Sequence, residues 1–147
     1  MASGEDKLIA RFFKPLATHP GALCLSDDAA FFEPPAGHDL VLTTDALVGE
    51  VHFFPDDPPD AIARKALRVN LSDLAAKGAT PLGFLLTLAL PPTVDDGWLE
   101  KFSAGLNSDC ETFGCALLGG DTTGTPGPVA ISVFAFMDED GPGVGVA

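Results

Sequence analysis

The chain has 147 residues and is 46% hydrophobic, which is enough for one compact domain with its own core. Acidic residues outnumber Lys and Arg by 21 to 8, and the formal charge of −13 disfavours binding to nucleic acid or to anionic membranes, because both require a basic surface. Its three cysteines have no CxxC spacing, so neither a disulfide framework nor a zinc site is expected. No apolar stretch is typical of a signal peptide or a membrane span, so we expect a cytoplasmic protein.

The predicted elements begin with a short helix and continue with three short apolar runs. Ser3 and Asp6 form a capping box that opens the helix, and Pro15 ends it. Each apolar run stops at acids or hydroxyls, which is typical of strands whose ends converge on one polar region. The runs are residues 22–25 before Ser26-Asp27-Asp28, residues 40–42 before Thr43-Thr44-Asp45, and residues 116–118 before Gly119-Gly120-Asp121-Thr122-Thr123.

Two long helices are predicted between these runs. The first is expected to begin with Asp57 as N-cap, followed by Pro58 in the first turn, and to stop at Gly78. The second is expected to start near Thr93, with acids in its first turn, and to stop at Gly114.

Two further apolar runs, residues 84–90 and 129–136, have the pattern of buried strands. Strands mixed with two long helices predict a layered α+β or α/β domain. We expect this domain to span residues 1–137. Residues 138–147 are rich in glycine and have no core pattern, so they are expected to form a flexible tail or the start of a linker.

One carboxylate, Asp73, occupies an unusual position on the first long helix. At 100° per residue it is in line with Ile62, Ala66 and Val69, on the stripe that we expect to be buried. A buried carboxylate is costly unless a cation or hydrogen bonds compensate it. Asp73 is therefore expected either to bind a cation or to cap neighbouring backbone near the helix end.

Further acids lie at the ends of predicted strands: Asp27, Asp28, Asp45 and Asp121. Taken singly, an Asp after a strand is an ordinary turn residue. Gathered at one pole of a domain, however, several carboxylates repel one another unless divalent cations lie among them. Oxygen ligands select Mg²⁺, Mn²⁺ or Ca²⁺ over zinc, and Mg²⁺ shares its coordination with phosphates, so the pattern indicates phosphoryl chemistry. The chain has no GxxxxGK[ST] loop, which leaves the backbone amides of residues 119–124 as candidates to hold phosphates.

Five segments resemble the successive signatures of thiamine-monophosphate kinases, in order and with natural spacing, in a match that extends to about Phe136. Three of their elements (Asp-Asp, Ser-Asp-Leu-Ala-Ala and Gly-Gly-Asp) are similar to those of a wider superfamily of aminoimidazole ribonucleotide synthetase, hydrogenase-maturation and selenophosphate-synthesis proteins. The Thr-Thr-Asp and His-Phe elements resemble the thiamine branch. The segments are Ser26-Asp27-Asp28-Ala29-Ala30, Thr43-Thr44-Asp45-Ala46-Leu47-Val48, Val51-His52-Phe53, Asn70-Leu71-Ser72-Asp73-Leu74-Ala75-Ala76-Lys77-Gly78-Ala79 and Gly119-Gly120-Asp121-Thr122-Thr123.

The resemblance implies an N-terminal domain that binds metal and nucleotide, built on a four-stranded mixed sheet with two long helices. Two copies are expected to form a homodimer in which the sheets join into a β-barrel, with ATP and several Mg²⁺ near the interface. The implied reaction is direct transfer of the γ-phosphate of ATP to thiamine monophosphate, giving thiamine diphosphate. Family members continue into a C-terminal domain, which we expect to be absent from this chain.

Carried over residue by residue, the resemblance also implies roles for individual side chains. Gly120 and Asp121 are expected to contact ATP, and His52 is expected to contact thiamine monophosphate. Without the resemblance, a histidine in this setting would be interpreted as a packed strand residue. The expected metal ligands are Asp28, Thr43, Thr44, Asp45, Asp73 and Asp121, with Asp27 as a further member of the metal shell.

Three other functions remain open. The same metal site could serve a different phosphoryl-transfer substrate, which a substrate panel would reveal. The chain could be a non-catalytic module for dimerisation or nucleotide binding, which predicts binding without turnover at saturating Mg²⁺. A structural domain stabilised by Ca²⁺ predicts metal-dependent melting without any effect of nucleotide.

Overall fold

The computed structural model describes residues 4–26, 29–76 and 78–140, and it consists of a four-stranded sheet with two long helices against one face. This arrangement confirms the expected fold class. In chain order the elements are α1 (Gly4–Leu8), a π-helical turn (Ile9–Phe13), two 3₁₀ turns (Lys14–Leu16 and Pro20–Leu25), β1 (His38–Val48), α2 (Pro59–Ala75), β2 (Thr80–Leu90), α3 (Asp96–Phe113), β3 (Ala116–Gly124) and β4 (Ala130–Asp140).

The strand order of the described sheet is β1-β4-β2-β3. Strand β4 is antiparallel to both of its neighbours, whereas β2 and β3 are parallel, so the sheet is mixed. Strands β1 and β3 consequently form the two edges. The register places Asp45, Val133, Leu86 and Gly120 at one level across the sheet.

Alternation along the strands explains the main core. In β2 the side chains of Phe84, Leu86 and Leu88 are buried beneath the helices, while Thr87 between them is exposed. A second, smaller cluster lies on the other face, where the N-terminal segment packs on Leu118 and Phe136. Beyond that segment this face is open, and Leu42 on the edge strand β1 is 57% exposed.

The ends of α3 follow the sequence signals closely. Asp95 is the N-cap, and its Oδ1 accepts a hydrogen bond from the backbone N–H of Trp98 at 2.8 Å. Gly114 follows the last turn with a left-handed φ of +64°, a conformation that glycine adopts without strain. Both predicted ends are therefore confirmed to within a few residues.

The start of α2 differs from the prediction. Pro58 is the N-cap and Pro59 the first helical residue, while the side chain of Asp57 accepts a hydrogen bond from the backbone N–H of Phe54 at 2.9 Å. Asp57 thus stabilises the preceding loop and not the helix, because its carboxylate turns back toward the loop. At the other end α2 stops at Ala75, ahead of Gly78.

An ion pair between an exposed arginine and a buried aspartate joins the two long helices. Arg68 of α2 donates from Nε and Nη2 to the two carboxylate oxygens of Asp109 of α3, at 2.7 and 2.8 Å. Asp109 is only 1% exposed, and its charge raises the pKa of the Arg68 guanidinium, chiefly through this hydrogen bond. Gly105 allows the helices to approach, since a Cβ there would lie 2.6 Å from the Cα of Asp60.

The strand predicted over residues 22–25 is wrong. These residues belong to the second 3₁₀ turn, in which Leu23 and Cys24 have left-handed φ angles of 52° and 54°. Gly21 precedes them because any Cβ there would lie 1.7 Å from the carbonyl oxygen of Phe31. These residues are apolar because Ala22 and Leu25 pack in the smaller core cluster, and not because they form a strand.

The other two runs are strands, but they are longer than predicted. β1 continues to Val48 and β3 to Gly124, so Asp45 and Asp121 lie within strands and not after them. Strand β4 also extends to Asp140, which is three residues into the expected tail. None of the helices in the described ranges combines the length and apolar character that crossing a membrane requires.

Candidate functional site

A cleft of about 830 Å³ opens between α1, the segment after the second 3₁₀ turn, and strand β3. Gly120 and Asp121, the two predicted ATP contacts, line this cleft. Ser26 and Ala29, which flank Asp27 and Asp28, line it as well. The fold therefore brings the neighbours of the first acidic motif to the same cleft as the Gly-Gly-Asp motif.

The backbone explains why glycine occupies position 120. Gly120 has a φ of +147°, and a Cβ on this residue would lie 1.7 Å from the carbonyl oxygen of Leu86 on the neighbouring strand. The ladder between β2 and β3 shifts register just before this point, between Phe84 and Leu85. The glycine thus allows an irregular strand to stay paired while Asp121 beyond it remains exposed.

Thr43, Thr44 and Asp45 lie on the opposite edge strand, β1. Alternation places Thr43 and Asp45 on the helix-covered face and Thr44 on the open face. The Thr44 hydroxyl donates to the carbonyl oxygen of Val133 at 3.0 Å, and Asp45 is exposed. Three strand intervals separate β1 from β3, which is about 14 Å along the sheet at the usual strand spacing.

Asp73 is exposed, so the prediction that it lies on the buried stripe of α2 is wrong. The buried arc of this helix is centred near Asn70 and Leu74. Ile62 lies at the edge of that arc and is buried because it is near the start of the helix. Asp73 lies at the same edge of the arc in the last turn, where no other described element covers the helix, and it is exposed to solvent.

The predicted metal ligands that the structure describes do not form one cluster within a single chain. Asp28, with its neighbour Asp27, lies outside the described residues. In the part of the chain that is described, no group of three or more acidic, histidine or cysteine side chains is close enough to hold a metal ion. The donors present are nevertheless carboxylate and hydroxyl oxygens, which suit Mg²⁺.

His52 lies in the loop that follows β1, and its side chain is exposed, so the packed-strand interpretation does not apply. Its Nδ1 accepts a hydrogen bond from the backbone N–H of Val48 at 2.9 Å. The loop is anchored by Phe53, which is buried, whereas Val51 and Phe54 are each 72% exposed. The imidazole is therefore held against the backbone with its Nε2 edge available to a ligand.

Three polar residues of interest were given no role in the site from the sequence. Glu5 and Asp6 of α1 also line the cleft, and Asp6 had been assigned only to a capping box. Asn70 is fully buried, and its Nδ2 donates to the carbonyl oxygen of Ala66 at 3.0 Å, while its Oδ1 has no partner among the described residues. The position of Asn70 at the centre of the buried arc of α2 was the sequence feature that could have indicated a buried polar side chain.

Residues 26–137 match the sequence profile of the AIR synthase related protein, N-terminal domain. The chain belongs to the AIR synthase related family. The resemblance found in the motifs is thereby confirmed, and the matched range includes every predicted site residue. The four-stranded sheet with two helices is the N-terminal domain of this family.

Within this family the chain is similar to thiamine-monophosphate kinases. That of Caulobacter vibrioides is 48% identical over 125 residues, which cover 84% of this chain and 36% of the relative. The crystal structure of thiamine-monophosphate kinase from Stenotrophomonas maltophilia K279a has a TM-score of 0.72 at 41% identity, covering 79% of this chain and 36% of that chain. A second structure, AaThiL complexed with AMPPCP and TMP, has a TM-score of 0.69 at 35% identity, covering 78% and 36%.

The chain spans about two fifths of the length of the curated relatives that it matches.

Proposed function

We propose that this chain is the nucleotide- and metal-binding half of a kinase that transfers the γ-phosphate of ATP to thiamine monophosphate, giving thiamine diphosphate. The observation that supports this most strongly is the 48% identity to a thiamine-monophosphate kinase over 84% of the chain. The structural neighbour complexed with AMPPCP and TMP supports the same pair of ligands. In this proposal AMPPCP marks the site of ATP and TMP marks the site of the phosphate acceptor.

ATP is proposed to occupy the cleft lined by Gly120 and Asp121. Its volume of about 830 Å³ is ample for a nucleotide. Gly120 lines this cleft, and the backbone amides of residues 119–124 are proposed to hold the phosphates. Leu85, which is partly exposed, provides apolar wall on which a base can lie.

Mg²⁺ is proposed to be held by the carboxylates and hydroxyls of the predicted set. When bound, it supplies positive charge that stabilises the transferring phosphoryl group. Among the described members, Asp45, Asp73 and Asp121 are exposed and have no ion pair with a described Lys or Arg. The full set is Asp28, Thr43, Thr44, Asp45, Asp73 and Asp121.

A homodimer is proposed because the described part of one chain leaves an open sheet edge and no complete cluster of metal ligands. Strand β1 is an 11-residue edge of the described sheet and carries the exposed side chains of Leu40 and Leu42. Such an edge invites pairing with another strand. Because Asp45 and Asp121 lie on opposite edges, joining two sheets edge to edge would also bring acids of two chains toward each other.

His52 is proposed to contact thiamine monophosphate. With Nδ1 accepting from the Val48 N–H, the proton of the neutral ring lies on Nε2, which can donate to a phosphate oxygen. His52→Ala should therefore weaken binding of thiamine monophosphate far more than binding of Mg²⁺-ATP. Calorimetric titrations with each ligand measure the two effects, and Val51→Ala in the same loop is the control. Equal losses for both ligands would mark His52 as a residue of the fold.

The reaction itself is tested by incubating the chain with Mg²⁺-ATP and thiamine monophosphate and separating the products by chromatography. The full-length Caulobacter vibrioides relative serves as positive control. Formation of thiamine diphosphate by the chain supports the proposal. Nucleotide binding without product would favour a non-catalytic module, turnover of another acceptor in a substrate panel would favour a different kinase, and melting that responds to Ca²⁺ but not to nucleotide would favour a structural domain.

A further inference from the structure

The loop that carries His52 has an unusual set of backbone hydrogen bonds. The N–H groups of Val51 and His52 both donate to the carbonyl oxygen of Val48, at 3.1 and 2.9 Å, and the N–H of Glu50 donates to the carbonyl of Phe53 at 2.8 Å. Glu50 adopts a left-handed φ of 69° to close this turn. The bonds to Val48 tie the loop to the end of β1, and the backbone N–H of Gly49 donates to the carbonyl of Val129 at 2.8 Å.

Lys65 of α2 adds a long-range side-chain contact to the loop. Its Nζ donates a hydrogen bond to the backbone carbonyl of His52, 13 residues earlier in the chain. The neighbouring cations of α2 have other partners, since Arg64 pairs with Asp60 at 2.9 Å and Arg68 pairs with Asp109. Lys65 is thus the cation of this helix that the described structure directs to the His52 loop.

Apart from the backbone bonds at Val48 and Gly49 and the buried Phe53, most of the loop is exposed. Val51 and Phe54 are each 72% exposed, and the only buried side chain between them is that of Phe53. A segment with few buried contacts fluctuates unless a further interaction restrains it. The charge-assisted bond from Lys65 restrains the residue whose imidazole must point in one direction.

We propose that Lys65 is a positioning residue: it fixes the His52 loop to α2 so that the imidazole keeps Nδ1 on the Val48 N–H and presents Nε2–H to the phosphate of the acceptor. The inference rests on the proposed role of His52. The contact of His52 with the acceptor would then depend on the Lys65 side chain of α2. One of the three N–H donors of the Lys65 ammonium makes this bond, and the test below distinguishes positioning of His52 from direct contact with the ligand.

The test compares Lys65→Met with Arg64→Met, a matched change at the adjacent position of the same helix. Long-range ¹H–¹⁵N correlation spectra of this 15.2 kDa chain report the tautomer of His52 directly. Calorimetry measures binding of thiamine monophosphate and of Mg²⁺-ATP. We expect Lys65→Met to convert a single Nε2–H tautomer into a mixture and to weaken thiamine monophosphate binding about ten-fold, which is the loss of one charge-assisted hydrogen bond. Mg²⁺-ATP binding should not change, Arg64→Met should leave both readouts at wild-type values, and Lys65→Arg should restore them.

Each other result overturns the proposal. An unchanged tautomer in Lys65→Met with weaker binding of thiamine monophosphate would mean that Lys65 contacts the ligand directly. If Lys65→Met binds thiamine monophosphate as the wild type does, the bond from Lys65 to the His52 carbonyl is dispensable, whether or not the tautomer changes. Equal weakening for both ligands would assign Lys65 to the fold. If the wild-type chain binds no thiamine monophosphate, the proposed function fails, and the tautomer alone decides whether Lys65 positions His52.

Discussion

Replacing Leu42 by Gln tests whether the open face and edge of the sheet form the interface of a dimer. Leu42 is 57% exposed in the single chain. Full burial of a leucine side chain is worth about 1.5–3 kcal/mol, so covering the remaining surface is worth about 0.9–1.7 kcal/mol per chain. A symmetric interface uses the residue twice, and about 1.7–3.4 kcal/mol corresponds to a dimer weakened about 20- to 300-fold.

Sedimentation equilibrium at micromolar concentration measures this effect. The wild-type chain should sediment at about twice the 15.2 kDa chain mass, and Leu42→Gln should shift the equilibrium toward monomer. Phe113→Gln is the control, because Phe113 is also exposed, at 38%, but lies at the end of α3 on the other side of the sheet. A wild-type chain that stays monomeric at high concentration, or a dimer that Phe113→Gln weakens as much as Leu42→Gln does, would refute the reasoning.

Two further predictions concern stability. Asp73→Asn should change the unfolding free energy of the ligand-free chain by no more than about 0.5 kcal/mol, because Asp73 is exposed, and should abolish the stabilisation by Mg²⁺-ATP. Thermal melts with and without Mg²⁺-ATP measure both effects, and a melting temperature that Mg²⁺-ATP still raises in Asp73→Asn would exclude Asp73 from the metal site. Burial raises the pKa of the Cys110 and Cys115 thiols from 9.0 to about 12, so unfolding releases protons above pH 9 and the unfolding free energy should fall as pH rises from 9 toward 12. Urea melts across this range measure the fall, and the Cys110→Ser/Cys115→Ser double variant should show a smaller dependence of the unfolding free energy on pH.

Local chemistry in the sequence predicted those features of the fold that local chemistry decides. Gly114 ends α3 as expected, since a left-handed residue ends a helix wherever it occurs. The helix was expected to start near Thr93, and Asp95 caps it two residues later, where its side chain accepts a bond from the first turn. Asp57 did not follow the same rule, because its carboxylate has the Phe54 N–H as a nearer partner. The apolar run at residues 22–25 was misread as a strand because burial under a turn and burial in a sheet leave the same apolar composition.

The candidate site was less accessible to sequence reasoning because it depends on tertiary placement. The helical wheel placed Asp73 in line with Ile62, but it could not show that the buried margin of α2 is open in the last turn. Strand order decides that Asp45 and Asp121 lie on opposite edges, and no local pattern records that order. The bond from Lys65 to the His52 carbonyl joins a helix to a loop, and only the folded chain reveals it.

Binding of ATP to this chain with and without Mg²⁺ tests the central claim most directly. Isothermal titration of the wild-type chain should show ATP binding only when Mg²⁺ is present, because exposed carboxylates repel the phosphates until a divalent cation lies between them. Asp121→Asn, on the wall of the cleft, should weaken that binding at least about ten-fold, whereas Glu100→Gln, an exposed acid on α3, should not alter it. ATP binding that is indifferent to Mg²⁺, or Asp121→Asn with wild-type affinity, would contradict the account.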